Sequence, residues 1–102
     1  MVIYEVNLQI DTKISNDFGS WLHEHLKEML EMKGFLSADW YQVEPEPGAE
    51  PSTVAWTVQY RVNTRAHLNE YFEKSADRMR AEGLKRFGSR FSASRRILIP
   101  RT

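Results

Sequence analysis

The sequence predicts one α+β domain with the element order β-α-β-β-α-β, a split β-α-β unit used twice. Apolar and polar residues alternate from Val2 to Ile10 and again from Thr53 to Val62, the period of a half-buried strand. After each of these runs the apolar spacing widens to three and four residues, the period of an amphipathic helix. At 102 residues and 41% hydrophobic content, the chain fits a single domain, residues 1–102, around one core.

In the first strand, Val2, Tyr4, Val6, Leu8 and Ile10 point one way, and Ile3, Glu5, Asn7 and Gln9 the other. Ser15 is the expected N-cap of the first helix, with Asp17 in its first turn where a negative charge suits the helix dipole. That helix is expected to run to about Lys33. Its apolar face comprises Ile14, Phe18, Trp21, Leu22, His25, Met29 and Met32, and Gly34 is the expected left-handed C-cap. Phe35 to Glu44 reads as the second strand. Its neighbours Trp40 and Tyr41 cannot share a face, so one of them must point to the reverse side.

The segment Pro45-Glu46-Pro47-Gly48-Ala49-Glu50-Pro51 is too stiff and polar for a core and reads as the exposed loop of a long hairpin. The third strand then places Val54, Trp56, Val58, Tyr60 and Val62 on one face, and Thr57, Gln59 and Arg61 on the other. Asn63 or Thr64 caps a second helix with Leu68, Tyr71, Phe72, Ala76 and Met79 inward, and Gly83 is expected to end it. The last strand runs from about Arg90 to Ile99 and stops at Pro100. Simple alternation there puts Arg95 beside Phe91, Ala93 and Ile97. Either a carboxylate pairs with it or a bulge near Ser94 shifts the register.

Composition narrows the function classes. With no cysteine there is no thiolate chemistry, disulfide or cysteine metal site. The start, Met1-Val2-Ile3-Tyr4-Glu5, reads as a strand and not as a signal peptide, and no run is long enough to span a membrane, so a cytoplasmic protein is expected. Charge is uneven. Residues 1–51 carry three Lys or Arg against ten Asp or Glu, and residues 52–102 carry eleven against four. The basic residues are spread over structured segments, so mutual neutralisation of the two halves is preferred to a nucleic-acid-binding tail.

Trp21-Leu22-His23-Glu24-His25, Gly34-Phe35, Thr57-Val58-Gln59-Tyr60, the run Arg80 to Gly88 and Arg95-Arg96-Ile97-Leu98 cover almost the whole chain. In order and spacing they resemble a family of short proteins of unknown function within the dimeric α/β-barrel superfamily, whose subunits are ferredoxin-like. The resemblance implies a ferredoxin-like fold, an antiparallel four-stranded sheet with two helices on one face, and a sheet-to-sheet homodimer with a cavity. It implies no single activity: the superfamily includes cofactor-independent monooxygenases, isomerases, lyases, haem-degrading enzymes and stress-associated proteins. Other ferredoxin-like modules are disfavoured by the residues. There is no C-x-x-C pair for a metal chaperone, and the aromatics of the central strands lie in the helix-facing set, not on the open face where RNA bases would stack.

The sharpest chemical candidate is His25, within the apolar stripe of the first helix, where it could serve as a general base. A core histidine satisfied by a carbonyl or carboxylate is the bland alternative. Trp21, Trp40 and Tyr60 are candidates to shape a cleft, with Asn7, Gln59 and Arg61 orienting polar groups and Arg96 holding an anion. An ion pair between Glu5 and an arginine of the last strand competes with that last role. His23-Glu24-His25 lacks the i,i+4 spacing of a helical zinc site, so no metal and no cofactor are expected. The leading expectation is a homodimer that binds a small aromatic or anionic metabolite, with cofactor-independent catalysis as its enzymatic form. The rivals are a non-enzymatic interaction or stress-associated module and, more weakly, nucleic-acid binding through the basic second half.

Overall fold

The computed structural model describes residues 1–48 and 51–102. The elements are β1 (Val2–Asp11), α1 (Ser15–Met29), β2 (Phe35–Gln42), β3 (Thr53–Val62), α2 (Arg65–Lys74), α3 (Ala76–Phe87) and β4 (Phe91–Leu98), with short 3-10 turns before α1 and before β4. The four strands form one antiparallel sheet in the order β2-β3-β1-β4. The expected order of elements holds. The number of helices does not: the predicted second helix is two, divided at Ser75, whose φ of −132° breaks the helical path.

The expected alternation of β1 and β3 is what builds the core. Tyr4, Leu8 and Ile10 of β1 and Val58, Tyr60 and Val62 of β3 are buried under the helices, against Phe18, Leu22, Met29, Leu68, Tyr71 and Met79. Burying one such side chain fully contributes about 1.5–3 kcal/mol.

Several expected boundaries move for local reasons. Ser15 does not cap α1. A 3-10 turn over Thr12–Ile14 precedes the helix, Asp11 accepts the Lys13 N–H there, and the Ser15 hydroxyl donates to the Thr12 carbonyl. The α1 helix stops at Met29, short of Lys33, and Gly34 instead turns the chain into β2 at φ +84°. A Cβ at Gly34 would lie 2.4 Å from the His67 ring, so glycine is required both by its backbone angle and by that approach. Thr64, not Asn63, caps α2 by accepting the His67 N–H. Gly83 does not end a helix. It lies buried inside α3, where Trp21 passes so close that a Cβ would be 3.0 Å from the indole. In the connection after β2, Pro45 to Gly48 are exposed, whereas Ala49 and Glu50 lie outside the described residues.

Candidate functional site

The sheet forms the floor of a cleft whose walls are α1 on one side and α3 on the other. Its volume is about 220 Å³. Tyr4, Val6, Leu8, Val58 and Tyr60 come up from β1 and β3, and Phe91, Ala93 and Arg95 from β4. Phe18, Trp21, Leu22, His25 and Met29 descend from α1, and Met79, Arg80, Gly83 and Leu84 from α3. Exposed members of this lining, Leu84 and Arg95, mark the mouth along the edge strand β4.

His25 stands one helical turn after Trp21 and stacks on its indole, ring centres 4.6 Å apart and 20° from parallel. Its Nδ1 is buried and has no hydrogen-bond partner. Burial, helped by the positive charge of Arg95, pushes its pKa down to about 4, so the ring is neutral at ordinary pH. Among the described residues no carbonyl or carboxylate meets this atom. Tyr4 stacks on Tyr60 at 5.8 Å. Burial pushes the Tyr60 hydroxyl well above the phenol range and the Tyr71 hydroxyl up to about 12, so both remain protonated.

Arg80 is the second polar group with an unmet atom: its Nη2 donates to the Tyr4 hydroxyl at 3.2 Å, and its Nε is buried without a partner. Arg95 reaches the same cleft from the helix-facing side of β4. The β1–β4 register is unbroken, with Val6 opposite Arg95 and Glu5 opposite Arg96. Neither a bulge nor, among the described residues, a carboxylate relieves Arg95; its place on an edge strand keeps it exposed to water.

The other face of the sheet is a finished hydrogen-bond ladder. Glu5, only 3% exposed, accepts from Asn7 Nδ2 and Gln59 Nε2, both at 3.0 Å, and from Arg96 Nε. Thr57 donates in turn to Asn7 Oδ1 at 2.8 Å. The Arg96 hydrogen bond, then that of Asn7, holds the Glu5 carboxyl down at about 2. Thus Arg96 forms the ion pair that competed with an anion-binding role. Arg61 is exposed on this same face, opposite Ile3 and Ser37.

Sequence reasoning had joined Asn7, Gln59, Arg61 and Arg96 to His25 in one site. The sheet lies between them, and within one chain they cannot meet. Trp21, His25 and Tyr60 do come together. Trp40 does not join them. It faces the helices but packs edge-on against Trp56 at 4.9 Å, beside Gly19 on the far flank of α1, while Tyr41 takes the reverse face.

The family DUF4286, a domain of unknown function, matches residues 1–100. The chain belongs to the DUF4286 family. No curated protein matches it in sequence. Among solved structures, it is similar to a Deinococcus radiodurans protein provisionally described as an antibiotic biosynthesis monooxygenase. That match has 11% identity, covers 100% of this chain and 94% of the other, and has a TM-score of 0.74. It is also similar to SnoaB, a cofactor-independent oxygenase from Streptomyces nogalater, at 9% identity, 99% and 94% coverage and a TM-score of 0.70. A Bacillus halodurans protein of the ethyl tert-butyl ether d family matches at 12% identity, 99% and 100% coverage and a TM-score of 0.69. At such identities the likeness shows the ferredoxin-like fold alone.

In this DUF4286 domain, Arg80 and Gly83 are the cleft residues that sequence reasoning missed. A helix ending at Gly83 leaves Arg80 in its last turn, where a basic residue suits the helix dipole and calls for no site. The signal was present in the spacing Ala76, Met79, Arg80, Gly83, Phe87, which continues one helical stripe through the glycine. No helix of the described DUF4286 residues is long and apolar enough to cross a membrane. Nor do those residues bring three His, Asp or Glu side chains together as metal ligands.

Proposed function

We propose that this chain binds a one- or two-ring aromatic small molecule in the helix-side cleft, and that His25 exchanges a proton with it. The observation that carries the reading is a ring nitrogen, buried and unpartnered among the described residues, in a cleft walled mostly by aromatic and aliphatic side chains. Size supports the ligand class. An apolar cavity of about 150 Å³ accepts benzene, and this one is about 220 Å³.

A neutral imidazole can take a proton from an acidic O–H or C–H of the ligand, and the Tyr60 hydroxyl can donate a hydrogen bond to the anion that forms. Such a step calls for no metal or organic cofactor. The structural neighbours described as monooxygenases and as a cofactor-independent oxygenase support an enzymatic reading of this kind.

The open sheet face supports the second half of the proposal, a homodimer joined sheet to sheet. Glu5, Asn7, Thr57 and Gln59 are already bonded within the chain, so a second copy could cover them without stranding them; Arg61 is left at the surface to pair across the seam, and Tyr41 stands 51% exposed there.

Native mass spectrometry of gently purified protein tests both halves. A dimer carrying a discrete extra mass, lost in Gly83→Val because the new side chain meets Trp21 and fills the cleft, is the expected result. A bare dimer that takes up none of a set of one- and two-ring aromatics would leave the packed interaction module as the better reading. A monomer would remove the dimer.

A further inference from the structure

The helix-side cleft contains two guanidinium groups and, among its lining residues, no carboxylate. Elsewhere, Arg78 pairs with Glu82, Arg90 with Asp11 and Arg96 with Glu5, while Arg65 and Arg86 lie over the rings of Phe72 and Phe87. Arg80 and Arg95 appear in no ion pair of the described residues; Arg80 is half-buried in the cleft and Arg95 stands exposed at its mouth. Asp77, one turn before Arg80 on α3, is exposed, and its charge reaches Arg80 without closing an ion pair with it. Arg80 has one arm held by the Tyr4 hydroxyl, which fixes the guanidinium plane, and its buried Nε is left without an acceptor. Arg95 comes from the edge strand β4 of the cleft floor, close enough to His25 for its charge to be felt there.

We propose that Arg80 and Arg95 form an anion subsite and that the ligand of this cleft is a small aromatic carboxylate. The inference rests on the reading of the cleft as a ligand site. Two guanidinium groups that line one cleft with no carboxylate in its lining give an anion entering it two charge-assisted partners. A planar guanidinium edge with a free N–H matches a planar carboxylate better than any neutral group. The aromatic walls and the small volume argue for an acid carried on one or two rings. The acid lies toward the mouth, where Arg95 is exposed, and the ring lies inward against Trp21 and Tyr60.

Isothermal titration calorimetry with matched pairs tests this: benzoate against benzamide, phenylacetate against phenylacetamide, 2-naphthoate against 2-naphthamide. Each pair differs in charge and hardly in shape. The carboxylate is expected to bind about 10- to 100-fold tighter than its amide. Arg95→Met, on an exposed edge position and so safe for folding, should abolish that preference, as should Arg80→Met if it folds. Arg96→Met, on the other face, should leave it intact. Equal binding of acids and amides would overturn the anion subsite while leaving the aromatic cleft standing. So would a preference that survives Arg95→Met or disappears in Arg96→Met. Binding of neither acids nor amides would remove the cleft reading itself, and the subsite with it.

Discussion

Arg95 and Arg96 are neighbours on one edge strand and meet opposite surroundings. Arg96 lies on the open face against Glu5, inside a ladder that also satisfies Asn7, Gln59 and Thr57. Arg95 lies on the helix side with His25 and Arg80, where the buried His25 Nδ1 and Arg80 Nε have no partner. The buried polar groups of the open face are bonded within the chain, whereas two buried nitrogens of the helix side have no partner among the described residues. Buried polar groups in folded proteins are almost always paired, so an exception needs a cause. Here both exceptions among the described residues fall in one cleft, and a ligand is the cause proposed for both. The polar face is thus bonded within the chain around Glu5, and the helix side is where buried nitrogens stand unpartnered among the described residues.

Acid titration separates the two faces, and the largest effect belongs to the cleft. Folded His25 takes its proton near pH 4, against 6.5 for an ordinary histidine. As pH falls the unfolded chain binds that proton first, so stability is full above 6.5 and is lost as pH drops toward 4. The loss attributable to His25 is about 2–3 kcal/mol. His25→Phe should flatten the pH dependence of urea unfolding in that window. A slope unchanged from wild type would mean that the ring is solvated and does not face a dry cleft.

The open face responds at lower pH. Glu5 holds its carboxyl at about 2, against an ordinary 4.5, so its contribution is present above 4.5 and lost as pH falls through 2. Glu5→Ala should cost about 1–3 kcal/mol at neutral pH by stranding the Asn7 and Gln59 amides. It should also remove this lower window while leaving the His25 window in place. If the histidine window moved as well, the two faces would be coupled and the contrast between them would fail.

The smallest effect is the most discriminating one. Arg95→Met should leave stability within about 0.5 kcal/mol of wild type, since no intramolecular partner is lost. Arg96→Met should be measurably destabilising, because it strips Glu5 of its cation. Equal effects in chemical denaturation would show that Arg95 has a structural partner after all.

The fold was legible because alternation in β1 and β3 and the helical spacing that follows each strand are dictated by burial. Even the helix-side position of Arg95 could be read from Phe91, Ala93 and Ile97. The break at Ser75 was hidden because Leu68, Tyr71, Ala76 and Met79 keep one apolar stripe across it. Gly83 misled for a physical reason: glycine serves a close approach as readily as a helix end, and here it admits Trp21. The candidate site was half legible. Trp21, His25 and Tyr60 belong to faces that burial selects, but Arg80 was lost with the misplaced helix end. Asn7 and Gln59 were assigned to the cleft although their own alternation puts them on the reverse side.

The central claim, that ligand chemistry belongs to the helix side and not to the polar face, is tested most directly by an NMR titration of isotopically labelled protein with 2-naphthoate. The expected result is a set of saturable shifts at Trp21, His25, Arg80, Gly83 and Arg95, with Asn7, Thr57 and Gln59 unmoved. Shifts centred on Asn7 and Gln59, with His25 and Trp21 still, would contradict the account and return the site to the open face of the sheet.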